Sequence, residues 1–510
     1  MQPVDASTLR GWVLDGQELA ILDAREEGEF GAAHPFWAVP CPLSQAELRI
    51  PALLPHLGTR IACIDDGRGL AERLACVLEA MGATGVHVLA GGIQDWADAG
   101  YVLFSGVNVP SKAFGEWVEH HYGTESVDAP ELKAWIDAGR DMVVLDSRPL
   151  DEFRAMSIPT AVNVPGGELA YRIGDLAPDP ATLIVINCAG RTRSILGAES
   201  LRRAGVPNPV VALRNGTMGW NLAGLTCDYG RTERYQDGPP ATAALALERA
   251  KRFAGASGVR VISPLDLGRY EGEHGRTLYV LDVRDPAEFA ARHRPCSRNA
   301  PGGQLVQATD RWIAVRGARI ALLDDDGVRA RMAGAWLRQM GHRDVCVVEG
   351  GLDGVADAIP PVPRAVALAD LSGALVVDLA RSIDFRAGHI PGAVWGLRTR
   401  LDAVRPRLQA AARVVLTSPD GALARLAVAE AQGLTAAPVQ VLEGGTAGWV
   451  AAGGQLAADR TDPPDEACVD TYLRPYDRNS GVAEAMQAYL SWEIDLVHEI
   501  GRDGTASFGV

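Results

Sequence analysis

One short phrase recurs four times along the chain, and the distance between its copies constrains the fold more than any other feature. ILDAREEGEFGAAH starts at Ile21, VLDSRPLDEFRAMSIP at Val144, VLDVRDPAEFAARHRP at Val280 and VVDLARSIDFRAGHIPGAV at Val376. Each copy is a β-branched or leucine run that ends in an acidic residue (Asp23, Asp146, Asp282, Asp378), which predicts a buried strand followed by a helical turn. The aspartates lie 123, 136 and 96 residues apart, a domain-sized spacing far beyond that of a solenoid repeat.

Each copy continues with a second apolar strand, a short polar loop, an amphipathic helix and a third strand that closes on a small or glycine pair. The closings read VHVLAGGIQDW, VVALRNGTMGW, VCVVEGGLDGV and VQVLEGGTAGW. Glycine permits a tight strand-to-helix turn, and Trp96, Trp220 and Trp449 follow four residues later, where a large ring can seal the domain edge; the third copy has Val355 there. Strands alternating with helices at this density predict an α/β fold, with each copy a small parallel sheet flanked by helices.

Linkers are expected at 105 to 126, at 235 to 258 and at IPPVPRA (359 to 365), with DRTDPPDEA a loop after the fourth copy. The predicted units are 1–105, 106–235, 236–362 and 363–460, followed by a loop and helix over 461–510. That last helix is expected from an N-cap at Ser480 to a stop at Gly501. Its apolar stripe, Met486, Tyr489, Leu490, Val497 and Ile500, suits packing on the body, with a homodimer interface as the other reading.

Composition sets limits on partners. Among 510 residues, 47% hydrophobic and 22% charged content is that of a globular protein with three to five domains. A net charge of -15 argues against nucleic acid and acidic membranes, so an anionic substrate must be drawn in by local arginines. The start MQPVDASTLRGW has no signal-like pattern and no apolar run approaches a membrane span, so a cytoplasmic protein is expected. Eight scattered cysteines, without a C-x-x-C pair or a His cluster, predict no metal, no cofactor and no disulfide framework. All but one, Cys76 and Cys346 included, are expected to be small buried hydrophobes.

The exception is Cys188, in LIVINCAGRTRS from Leu183 to Ser194. A thiol there ends a buried strand and faces a Gly/Arg loop and a helix expected to begin near Ser194, a setting that favours thiolate. Aligning the four loops on their glycine sets Cys188 against Asp65, Asp325 and Pro419, so cysteine occurs at this place in one copy of the four.

The D-x-R…F…H starts, the cysteine loop and the VLEGG…W endings together resemble the rhodanese family of sulfurtransferases over nearly the whole chain. The resemblance implies four tandem rhodanese-like domains, each a parallel sheet between helices, with an active cysteine that carries a persulfide inside a loop of backbone amides. It implies Cys188 as nucleophile, and Ala189, Gly190, Arg191, Thr192, Arg193 and Ser194 as the cradle for a small anionic sulfur donor such as thiosulfate, with cyanide or a thiol as acceptor. Arg191 and Arg193 add guanidinium charge for the donor. An aspartate in the same place is not a nucleophile toward sulfane sulfur and repels thiosulfate, so copies one, three and four are expected to be silent, with copy one forming a wall of the site.

The loop departs from the common family pattern, which has Arg directly after Cys; here Ala189 follows, then Gly190. Related phosphatases use a Cys-x5-Arg loop, one residue longer than the Cys-x4-Arg from Cys188 to Arg193, and a noncatalytic sulfur-sensing scaffold is the alternative of another class. Arg25, Arg148 and Arg284 recur in active and silent copies alike and are expected to pair with nearby acids. His34, His293 and His389 are missing from the copy with the cysteine and are expected to bond neighbouring loops.

Overall fold

The computed structural model describes residues 1–358 and 370–509, so the linker expected at IPPVPRA lies outside the described residues. Four sheets are built among the described residues, one per copy of the phrase. In the second, the strands run Ser126–Val127, Val210–Leu213, Leu183–Asn187, Met142–Asp146, Val162–Asn163 in spatial order, all parallel. The third sheet repeats this order with Arg260–Ile262, Asp344–Val348, Arg319–Leu323, Leu278–Asp282 and Arg298–Asn299. The fourth shows Val439–Val441, Val414–Thr417, Leu375–Asp378 and Val394–Trp395. The first has the same five strands and gains a sixth from elsewhere: Val315–Arg316, from the third copy, pairs antiparallel with Leu19 and Ala20.

Register explains why the acidic residue recurs. Asp23, Asp146, Asp282 and Asp378 stand opposite Ile64, Asn187, Leu323 and Thr417, the last residues of the neighbouring strand. In the first three copies the Asp side chain holds the Arg two residues on: Nε donates at 2.9 Å to Oδ1 in each pair. The guanidinium then reaches the carbonyl eight residues further, on Ala33, Met156 or Arg292, at 2.6 to 2.7 Å. The expected structural pairing of Arg25, Arg148 and Arg284 is therefore the brace that fixes the start of each copy, and all three are buried.

The histidines differ from expectation in part. Each stacks on the Phe of its own phrase, at 3.8 Å for His34 on Phe30, 4.3 Å for His293 on Phe289 and 4.0 Å for His389 on Phe385. The His34 ring bonds a distant loop at the carbonyl of Gly106, whereas the rings of His293 and His389 bond the Phe carbonyl four residues back; the His389 backbone pairs with that of Ala457 in a distant segment. Trp96 and Trp220 are buried at the sheet edge and Trp449 is half-buried, and each donates its indole N–H to a carbonyl six residues on.

Three helices matter for the site: α1 (Val109–Tyr122) in the first linker, α2 (Thr192–Ala204) after the cysteine loop, and α3 (Val482–Asp503) at the carboxyl end. The last is displaced from its predicted limits. Gly481 and Gly504 take left-handed φ of 64° and 66° at its ends, while Gly501 sits inside it. Its stripe packs on the body, with Leu496 buried against Phe36, Phe104 and Val109. The largest apolar core runs continuously through copies one, two and three.

Copies two and three meet glycine to glycine: a Cβ on Gly167 would stand 2.9 Å from the amide nitrogen of Gly303, and one on Gly303 2.7 Å from that of Gly167. Copies one and four meet through Arg398 with Glu47 at 2.8 Å and Thr399 with Glu26 at 3.0 Å. Two cysteines depart from expectation. Cys76 is exposed because the inward face of its helix is Ala71, Leu74, Ala75 and Leu78, and Cys296 is exposed in a loop at φ 64°. Among the described residues no helix is long and apolar enough to cross a membrane and no metal-holding cluster occurs.

Candidate active site

Cys188 follows the Leu183–Asn187 strand directly and is 2% exposed. Its backbone is locked from the neighbouring turn, where Thr217 donates to the Cys188 carbonyl through both N–H (2.8 Å) and hydroxyl (3.0 Å), and Met218 N–H donates to Ala189 at 2.9 Å. That turn must be glycine at 216. Its φ is 54°, and a Cβ would lie 2.4 Å from the Cys188 carbonyl oxygen. Asn187 ties the strand end to Asp146 at 2.8 Å, and Cys188 Sγ stands 3.5 Å from Ser194 Oγ, which itself donates to the Arg191 carbonyl.

The loop curls tightly into α2, which begins at Thr192, two residues earlier than expected. Among the described residues, the amides of Ala189, Gly190, Arg191, Thr192 and Arg193 have no protein acceptor, whereas Ser194 and Ile195 N–H already bond the Arg191 carbonyl. Five successive unclaimed donors directly after one thiol are a set suited to negative charge.

Both loop arginines are engaged by carboxylates. Arg191 grips Glu116 of α1 with two bonds, at 2.8 and 2.7 Å, and also pairs with Glu119. Burial, against the pull of Arg191 and helped by Glu493 and Glu119, pushes the Glu116 carboxyl up to about 7. Arg193 grips Glu152 at 2.9 and 2.8 Å; burial alone would raise that carboxyl, but Arg193 beside it, with Arg148 and Arg474 near, holds it down to about 2. Thr192 donates to Glu493 of α3 at 2.9 Å.

The strand register corrects the glycine-based alignment of the loops without cysteine. The residue after the last strand residue is Cys188 in copy two and Asp65 in copy one, as expected, but Asp324 in copy three and Ser418 in copy four, each one position before Asp325 and Pro419. The neighbouring turns agree, since Ile93 and Thr446 donate to the carbonyls of Asp65 and Ser418 as Thr217 does to that of Cys188. In the three loops without cysteine the side chains close on the loop itself. Asp65 accepts from Gly67, Leu70 and Ala71 amides at 2.9, 2.7 and 3.3 Å. Asp324 accepts from Ala330 at 2.8 Å, Asp326 from Val328 and Arg329, and Ser418 from Ala424 at 3.3 Å.

Cys188 lines a cavity of about 800 Å³ to which every copy contributes: Glu27 from the first, the loop from the second, Arg311 from the third, Arg381 and Arg460 from the fourth, and Arg474, Tyr476, Arg478 and Tyr489 from the carboxyl-terminal segment. Its described lining holds nine Lys or Arg side chains against four Asp or Glu, in a chain of net charge -15. Arg460 and Arg478, both exposed, have no ion-pair partner among the described residues. The sequence reading did not reach Lys112, Glu116, Glu119 or Glu493. Two signals were there: charges at 112, 116 and 119 share one helix face, and Glu493 falls in phase with the apolar stripe of α3.

A tandem α/β protein with one cysteine-bearing anion loop is the class that this architecture defines. Comparison with protein families matches the rhodanese-like domain at 6–99, 128–223 and 268–358, more than half of the chain. The chain belongs to the rhodanese family. Over its whole length it is similar to the thiosulfate sulfurtransferase of Pseudomonas aeruginosa, whose crystal structure matches at 45% identity and TM-score 0.91, with 100% of both chains covered. A curated relative, the HTH-type transcriptional regulator Rv0324 of Mycobacterium tuberculosis, is 34% identical over 107 residues, 21% of this chain; the match spans about half (46%) of that protein's length.

Proposed function

We propose that the protein is a sulfurtransferase working through a Cys188 persulfide. The observation that carries this reading is the set of unclaimed amides from Ala189 to Arg193 directly after a single buried thiol, in the one loop of the four described where no side chain accepts from them; Asp65, Asp326 and Asp420 do so in the others. The similar P. aeruginosa protein is a thiosulfate sulfurtransferase, which supports the same chemistry here.

In the first half-reaction the Cys188 thiolate attacks the sulfane sulfur of thiosulfate; the new S–S bond forms as the old one breaks, and sulfite leaves with the electron pair. In the second, cyanide or a thiolate attacks the outer sulfur and Cys188 departs as thiolate. The loop amides stabilise the anion on Cys188 and then on the persulfide. Arg191 and Arg193, each engaged by glutamate, fix the loop and lend part of their charge. The basic lining draws in the anionic donor, and a cavity of about 800 Å³ leaves room for an acceptor thiol much larger than cyanide.

Work is divided among the units 1–105, 106–235, 236–362 and 363–460: chemistry in the second, walls of the cavity from the others. We also infer a cytoplasmic setting, from eight cysteines that are all free.

Intact mass spectrometry tests the reading. Exposure to thiosulfate is expected to add one sulfur (about 32 Da), lost again on cyanide addition, while Cys188→Ser gains nothing and lacks thiosulfate:cyanide transfer. A Cys188 inert to sulfane donors overturns the proposal in favour of a scaffold or sensor.

A further inference from the structure

The cysteine loop has a problem that its silent sisters do not. Asp65, Asp326 and Asp420 brace their loops from inside by accepting amides of the loop and of the helix start. A loop that keeps its amides free for sulfur has to be held from outside. The bracing group is Glu493 on α3, beyond the four repeats. It is 0% exposed, and its Oε1 accepts from Thr192 Oγ1 at 2.9 Å and Lys112 Nζ at 3.0 Å. Thr192 opens α2 directly after the loop, and Lys112 belongs to α1, so one carboxylate joins three helices at the cysteine loop.

The second oxygen, Oε2, is buried and has no hydrogen-bond partner among the described residues, an arrangement that is destabilising by itself. It is aimed at the loop: a Cβ on Gly190 would stand 3.1 Å from Oε2 and 3.4 Å from Tyr489. Met486 and Leu490, on the same helix face, pack on Ala189 and Met218. This contact explains the departure of the loop from the common family pattern. The residues after the cysteine are small, Ala189 and Gly190, because the α3 helix lies on them.

We propose that Glu493 is a positioning residue for the persulfide loop, acting through Thr192 and against Gly190 to hold the open amides in place. The inference rests on the sulfurtransferase reading of Cys188. It is tested in the full-length protein by thiosulfate:cyanide kinetics of Glu493→Ala and Glu493→Gln. The alanine variant is expected to lose ten- to about a hundredfold in kcat, with KM for thiosulfate close to wild type and the fall in melting temperature from leaving Lys112 unpaired too small to unfold the protein at the assay temperature. Glutamine, which keeps an oxygen for Thr192 and Lys112, is expected to restore most of the rate.

Wild-type kcat in Glu493→Ala overturns the proposal, as does a loss that tracks melting temperature and is no smaller in Glu493→Gln. Absence of transfer by the wild-type protein would instead count against the sulfurtransferase reading. The brace is then read from iodoacetamide labelling of Cys188, expected to be faster in Glu493→Ala and overturned by an unchanged rate.

Discussion

Copies one and two build the same strand, loop and helix and then treat the loop amides in opposite ways. In copy one, the Asp65 carboxylate sits 2% exposed and accepts three amides at 2.7 to 3.3 Å, so the loop carries its own anion. In copy two, Cys188 takes that place and five amides in a row go without an acceptor. On the proposed function, an anion-binding loop is a property of the scaffold, and in these two copies the residue at its head decides whether the anion is resident or incoming. The open loop in turn requires support from outside, from Glu116 and Glu119 on α1, Glu152 in its own copy and Glu493 on α3.

The largest effect is expected from converting one loop into the other. Cys188→Asp should accept the free amides as Asp65 does, abolishing sulfur transfer while leaving the melting temperature at or above the wild-type value. Calorimetry beside an activity assay checks both halves; a variant that melts far below wild type would break the comparison, because its loop would not be the anion cradle of copy one. Next comes Arg191→Ala, which leaves Glu116 buried and unpaired. Removing one partner of such a pair is expected to destabilise by about 3–5 kcal/mol, followed by urea unfolding, whereas Arg68, an exposed arginine of the copy-one loop, should be nearly silent when replaced.

Much of this was legible in the sequence, because the features responsible are local. The Asp/Arg starts, the strand-ending acid and the glycine turns depend on neighbours within a few residues, and the structure repeats them in three or four copies. The place of Cys188 at the end of its strand was legible too, and the sister loops set it apart. Two kinds of feature were not. The glycine-based alignment slipped by one in copies three and four because strand register, not loop glycine, sets the equivalence of Asp324 and Ser418 with Cys188. The assembly of one cavity from all four copies rests on contacts such as Thr192 with Glu493, 301 residues apart, and on a strand from copy three joining the first sheet. Local patterning has no access to these, and the charges on one face of α1 and the glutamate in the stripe of α3 were the traces they left.

A smaller effect separates the loop glycines. Gly67 in copy one has φ 84° with nothing within 4 Å of its absent Cβ, so Gly67→Ala meets backbone strain alone. The expected loss is about 1–2 kcal/mol with activity unchanged. Gly190 has no left-handed φ and instead faces Glu493, so Gly190→Ala should lower kcat more than stability. Equal effects of the two variants on activity would show that copy one's loop is coupled to the site after all.

The smallest effect carries a pH signature. Burial, with Asp326 close by, pushes the Asp324 carboxyl up to about 8, whereas Glu152 beside the open loop is held down to about 2 by Arg193 despite its burial. For Asp324 the folded state binds a proton that the unfolded chain, with an ordinary carboxylate near about 3.9, has released. Between roughly pH 4 and 8, therefore, this residue makes stability fall as pH rises. Asp324→Asn keeps an acceptor for the Ala330 amide and removes the titration. Its gain should be larger at pH 8 than at pH 5, read from urea midpoints at the two values. Glu152→Gln should show the opposite sense, a loss that is full above about pH 4.5 and fades as pH falls toward about 2, because there the folded state is the one that releases the proton. If both substitutions shift stability by a pH-independent amount, the two loops do not differ in charge in the way their hydrogen bonds require.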